Sequence, residues 1–113
     1  MTKPDYSKIA REALTEVNKI RKILGRKPLV KLPRGIPNDP EACPIAKAIC
    51  ANIDARDMQL LSKKYSDRGR LYKKLIAAGY SYKRVGIDFK TPEALCMFII
   101  VFDKGKYPEM ALD

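Results

Sequence analysis

The sequence predicts an α+β fold, mainly α: a single small domain of about four helices with one or two short strands. Three observations carry that expectation. Apolar residues recur at helical spacing in four stretches, glycine or proline opens or closes each of them, and the alternating stretch Val85 to Phe89 is short. At 113 residues and 46% apolar composition, the chain is long enough for one core without disulfide staples. No internal repeat or flexible linker divides it.

The first element runs from about Ser7 to Leu24, with Asp5 or Ser7 to cap it and Gly25 to stop it. On a helical projection Ile9, Ala13, Val17, Ile20, Ile23 and Leu24 share one broad face. Lys8, Arg11, Thr15, Lys19 and Lys22 lie opposite, as a solvated face or a phosphate-tracking ridge.

Five of the eight prolines fall between Pro28 and Pro44, so this run is irregular: proline lacks an N–H and fixes φ. In the extended segment Arg26–Gly35, Leu29, Val30 and Leu32 are expected on the core, with Lys27, Lys31 and Arg34 outward. Asp39-Pro40-Glu41 reads as a helix start, with a capping carboxylate, proline at the first position and an acid in the first turn. Cys43-Pro44 offers a second start one turn later. From Pro44 onwards Ile45, Ala46, Ala48, Ile49 and Cys50 leave only Lys47 for solvent, which predicts a small-sided, buried helix.

Asn52 to Leu61 fits either a short strand with turns or the lead-in to another helix. A clearer helix follows Ser66-Asp67, with Leu71, Tyr72, Leu75 and Ala78 on one face, Arg70, Lys73 and Lys74 on the other, and Gly79 as its end. Thr91-Pro92-Glu93 repeats the cap-proline-acid signature and opens a core helix through Phe102 that is apolar on all sides. Tyr107-Pro108-Glu109-Met110 is expected to fold back as a clasp.

Cys43, Cys50 and Cys96 are an odd number without a C-x-x-C pair, and the chain has no histidine, which excludes the usual zinc-site patterns. They read as small buried apolar residues in a reducing compartment, with an inter-chain disulfide or reactive thiol as the alternative. The polar start Met1-Thr2-Lys3-Pro4-Asp5 lacks the character of a signal peptide. The longest apolar run, Ala94 to Phe102, is far shorter than the roughly 20 residues that span a bilayer. A soluble cytoplasmic protein without a membrane partner is therefore expected.

The net charge of +10 favours polyanions, and its distribution is uneven. Residues 1–34 hold ten basic and three acidic side chains, and residues 59–90 hold nine and two. Residues 35–58 and 91–113 each hold two basic and four acidic ones. The excess thus lies on two separate segments, which form one basic surface only if they meet in space. Tyr65, Tyr72, Tyr80 and Tyr82 fall in or beside the second segment, either to stack on unpaired bases or as core and ordinary surface residues.

Catalysis has little support. The commonest general base is missing, and there is no G-x-S-x-G, Walker or G-x-G-x-x-G motif. Asp54 and Asp57, three apart, would share a helical face and hold a magnesium ion, but nothing beside them completes a nuclease centre. No cofactor, metal site or catalytic residue is expected. Leu71 to Gly86 carries a faint helix-turn-helix pattern: an apolar helix, a glycine turn and a second basic segment, with Gly86 and Asp88 against it.

Three pieces together resemble a family of small proteins encoded by phages of actinobacteria. They are Asn18 to Gly25; Leu32-Pro33-Arg34-Gly35 leading to Asp39 and Cys43-Pro44-Ile45-Ala46-Lys47-Ala48-Ile49; and Phe98 with Phe102-Asp103-Lys104-Gly105-Lys106-Tyr107-Pro108-Glu109-Met110. The resemblance covers the two ends, a little over half the chain. The middle, from about Asn52 to Lys90, departs from it in being longer and more basic. A phage origin and a cytoplasmic site of action are implied; an activity, cofactor or catalytic residue is not.

Charge and resemblance together predict a small non-enzymatic protein that binds nucleic acid, DNA foremost, through phosphate contacts. The residues expected to make them are Lys19, Lys22, Arg26, Lys27, Arg34, Lys73, Lys74, Lys83 and Arg84. The alternatives are capture of an acidic host protein by the same basic face, and a homodimer packed through the apolar C-terminal helix.

Overall fold

A computed structural model describes residues 4–61, 65–82 and 88–112, the side chains of residues 65–68 excepted. The fold is α+β, mainly α. Its elements are α1 (Tyr6–Ile23), α2 (Pro44–Ile49), β1 (Ala51–Ile53), β2 (Asp57–Leu60), α3 (Tyr65–Ala77), β3 (Phe89–Lys90) and α4 (Glu93–Asp103), followed by a 3₁₀ turn at Pro108–Met110. The strands form one antiparallel sheet in the order β1-β2-β3.

Helix α1 begins at Asp5, whose carboxylate accepts the Lys8 N–H at 3.0 Å. Ser7 lies inside the helix instead. Ala13, Val17 and Ile20 form its fully buried stripe, against which α4 packs. Two bonds close its C-terminus, Gly25 N–H to the Lys22 carbonyl (3.0 Å) and Arg26 N–H to the Arg21 carbonyl (2.8 Å). This arrangement needs φ +74° at residue 25, a conformation open to glycine at little cost. The chain therefore reverses sharply and leaves Arg26 beside the end of its own helix.

The side-chain amide of Asn18 clips the extended segment to α1. Its Nδ2 donates to the Leu29 carbonyl (3.0 Å), and its Oδ1 accepts the Leu29 N–H (2.8 Å). The clip and a bend at residues 30–31 turn Leu32 into the core and leave Leu29 half-buried. Val30, expected on the core, is 95% exposed, because the bend puts it on the outer side. Further on, Gly35 is packed so tightly that a Cβ there would lie 2.5 Å from the Pro44 nitrogen. Its N–H donates to the Met110 carbonyl (2.9 Å), and its own carbonyl accepts the Leu112 N–H (2.8 Å). The C-terminal segment is thus the expected clasp, strengthened by the Tyr107 hydroxyl, which donates to the Tyr6 carbonyl at 2.6 Å.

Of the two possible helix starts before α2, the later one forms. Asp39 instead caps a turn, its carboxylate accepting the Glu41 N–H (2.9 Å) and its carbonyl the Cys43 N–H (3.0 Å). The thiol of Cys43 is the N-cap of α2, accepting the Ala46 N–H at 3.3 Å. Burial pushes this thiol's pKa up, so it serves as a neutral acceptor. Cys50 ends α2 with φ +50° and turns the chain directly into β1.

The ambiguous stretch Asn52–Leu61 is a β-hairpin. Asp54 and Asp57 do not share a helical face: the Asp54 carboxylate accepts the N–H groups of Arg56 (2.7 Å) and Asp57 (2.9 Å), which caps the hairpin turn. Among the described residues no cluster of three or more metal-ligating side chains occurs. Thr91, expected to cap the last helix, is buried, and its hydroxyl donates to the Asp54 carbonyl at 2.7 Å. Helix α4 consequently starts without a side-chain cap. Of the strand expected over Val85–Phe89, Phe89 pairs with Met58; residues 85–87 lie outside the described ones. Of the second segment of the helix-turn-helix pattern, Ser81 and Tyr82 are not helical, since Tyr82 pairs with Phe89 and the Lys90 N–H donates to the Ser81 carbonyl (2.8 Å); residues 83–87 lie outside the described ones.

Helix α4 buries Leu95, Phe98, Ile99, Val101 and Phe102, and Phe98 stacks between Phe102 (5.8 Å) and Tyr107 (5.0 Å). It is not buried on all sides: Met97 and Ile100 form an exposed edge, because α1 covers only its inner face. Each fully buried side chain of this size contributes about 1.5–3 kcal/mol relative to an exposed one. No helix among the described residues is long and apolar enough to cross a membrane.

Candidate functional site

The last turn of α1, the α2–β1 junction, the end of β2 and one face of α3 enclose a groove of about 700 Å³. Among the described residues four cations line it, Lys22 and Arg26 from the first basic segment and Arg70 and Lys74 from the second, and no carboxylate does. Leucines and isoleucines, among them Leu24, Leu60, Leu61 and Leu71, form its floor. The two basic segments are therefore adjacent.

Their positions follow from local chemistry. The glycine reversal after α1 leaves Arg26 beside Cys50, and its guanidinium donates to the Cys50 sulfur at 3.0 Å. Arg70 and Lys74 stand one turn apart on α3, on the same face as half-buried Leu71. Arg21 is a strut: its guanidinium donates to the carbonyls of Lys27 (2.7 Å) and Ala48 (2.6 Å), tying α1 to the extended segment and to α2.

The hairpin separates charge. Its open end, Cys50 to Ala51 and Leu60 to Leu61, borders the cationic groove. At its turn end lies a smaller depression lined by Glu41, Asp54, Asp57 and Asp88. A polarised molecule of this kind approaches a polyanion in one preferred orientation.

Of the residues expected to bind nucleic acid, Lys22, Arg26 and Lys74 line the groove. Lys27 and Lys73 are exposed but do not line it. Lys19 lies 3.8 Å from Glu16 and borders a different concavity of mixed charge, with Glu93 and Lys90. Arg34 is remote in role, its guanidinium donating to the Ala111 carbonyl at 2.9 Å. Lys83 and Arg84 lie outside the described residues. Arg70 was missed; its spacing of four from Lys74 was the available signal.

The described tyrosines are engaged within the fold, although Tyr82 remains 43% exposed. Tyr72 is buried, its ring edge-on to Phe89 at 4.8 Å, and Tyr82 packs edge-on to the same ring at 4.9 Å. Tyr80 is half-buried, with its hydroxyl donating to Glu16. The side chain of Tyr65 lies outside the described ones. The cysteines also differ from expectation. All are free, but only Cys43 is buried; Cys50 and Cys96 are half-buried, Cys50 because it sits at a helix end that opens on the groove.

No family model, curated protein or solved structure matches this chain.

Proposed function

We propose that this chain is a small phage-encoded, cytoplasmic, non-enzymatic protein that binds nucleic acid, DNA foremost, through phosphate contacts. The observation that carries the reading is the groove where Lys22, Arg26, Arg70 and Lys74 converge, with no carboxylate among its described lining residues. Arginine presents a planar fork matched to phosphate, and lysine adds a mobile point charge. Exposed Lys27 and Lys73 extend the positive field beyond the groove. Contacts of this kind give affinity and orientation with little sequence preference.

Titration of labelled duplex and single-stranded DNA by fluorescence anisotropy over a salt series tests the reading. Four phosphate contacts imply a fall in log affinity of about 3–4 per decade of salt. Absence of binding to either DNA at low salt overturns it. Recovery of one stoichiometric acidic protein from nuclease-treated host lysate, with no DNA binding, would support the protein-capture alternative.

A further inference from the structure

We infer that the groove receives single-stranded nucleic acid, with an unpaired base lodged against its leucines and the flanking phosphates on its cations. The inference rests on the nucleic-acid reading above and adds which form is bound. The site has two chemistries in one concavity. Lys22, Arg26, Arg70 and Lys74 supply positive charge, while Leu61 and Leu71 present apolar surface between them. Leu61 is 51% exposed, although its neighbour Leu60 is fully buried. Apolar surface left open among cations is not covered by any part of the described chain.

A duplex does not use such a floor. Its base faces are stacked inside, and what it presents to a groove is charged backbone, which gains nothing from leucine. An unpaired base has an apolar face of its own and is flanked by phosphates on both sides, so charge and apolar surface are satisfied together. The concavity of about 700 Å³ lies within the range of small-ligand pockets, ample for one nucleotide. Arg26 and Arg70 can also lay their guanidinium planes on a base. Since no tyrosine is among the described lining residues, the base contact is aliphatic, and preference among bases is weak.

Anisotropy titrations of the full chain test this with three probes at one low salt concentration: a mixed-sequence single strand of about 12 nucleotides, the duplex of that sequence, and inorganic polyphosphate as competitor. The single strand is expected to bind at least about fivefold tighter than the duplex. Leu61→Ser should weaken single-strand binding about fivefold and leave duplex binding and polyphosphate competition within about twofold of wild type. Leu61→Met, which keeps the apolar surface, should restore it. Leu61 is half exposed, so neither variant is expected to compromise folding.

Alkylation of Cys50, read by peptide mass mapping, supplies a second readout: the single strand should protect this thiol, and polyphosphate should protect it less. Equal or tighter duplex binding, or equal loss for all probes in Leu61→Ser, overturns the base-lodging inference while leaving phosphate binding intact. Failure of all three probes to bind removes both.

Discussion

The Tyr80 hydroxyl donates a 2.7 Å hydrogen bond to the Glu16 carboxylate, across 64 positions of chain, and joins the end of the second basic block to the middle of the first. The reversal after α3 makes the contact possible. Gly79 N–H donates to the Ile76 carbonyl (3.0 Å) and Tyr80 N–H to the Leu75 carbonyl (3.1 Å), so the ring is delivered straight back onto α1. This bond ties the segment after α3 to the middle of α1, in a concavity distinct from the cationic groove.

Tyr80→Phe should therefore lower stability by about 1.5–3 kcal/mol, the range for a hydrogen bond to a charged group. It should also carry a pH signature. Burial first, then the hydrogen bond and charge of Glu16, push the phenol's pKa up, so the fold holds it neutral. Burial pushes Tyr107 in the same direction. An unfolded tyrosine ionises near pH 10, so this contribution is complete below about pH 10 and is lost as the pH rises above it. Urea unfolding between about pH 8 and 11 should show a steeper alkaline decline for wild type than for Tyr80→Phe. Parallel declines would mean that the Glu16 contact does not favour the neutral phenol.

Asn18→Ala should cost about 1–3 kcal/mol, because it removes both bonds to Leu29 and leaves that residue's half-buried N–H and carbonyl without their partners. The loss should appear as a lower thermal midpoint. Nucleic-acid affinity measured well below that midpoint should not change, since Asn18 is not among the groove-lining residues.

Two glycines separate conformational strain from steric clash. At Gly25 a Cβ meets nothing within 4 Å, so Gly25→Ala carries only the cost of the left-handed backbone, about 1–2 kcal/mol. At Gly35 a Cβ would lie 2.5 Å from the Pro44 nitrogen and 2.6 Å from the Ala42 carbonyl oxygen. Those are backbone atoms that cannot swing aside, and the shift would disturb the pairing with Met110 and Leu112 as well. Gly35→Ala should be the more damaging substitution by at least about 2 kcal/mol in chemical denaturation.

How much of this was legible in the sequence depends on the range of the interactions concerned. α1 and α4 were readable because periodicity, glycine stops and apolar runs act within one or two turns. The hairpin Ala51–Leu60 was readable only as one of two alternatives, because its strands are held by each other and by β3, and strands this short carry little periodicity of their own. The carboxylate and hydroxyl chosen as helix caps, at Asp39 and Thr91, were drawn into longer-range uses: a turn before α2 and a tie to the hairpin. For the site, charge counting located both basic segments but could not select within them. Arg34's tie to the Ala111 carbonyl was not legible, because that partner lies 77 positions away. Val30 failed for the related reason that a side-chain clip, not alternation, sets the facing of its segment.

The groove itself yields the most discriminating binding prediction, because general charge and local contact can be separated at constant charge change. Arg26→Gln with Arg70→Gln removes two guanidiniums from the groove lining. Lys104→Gln with Lys106→Gln removes the same charge from the exposed end of α4, which does not line it. If phosphates sit in the groove, the first pair should flatten the salt slope by about two and weaken DNA binding at all sequences alike. The second pair should shift affinity only through the screened overall field, leaving the slope nearly unchanged. Similar losses in both pairs would mean that the whole surface, and not this groove, attracts the polyanion. A larger loss from the Lys104 and Lys106 pair would move the contact to the C-terminal end of α4.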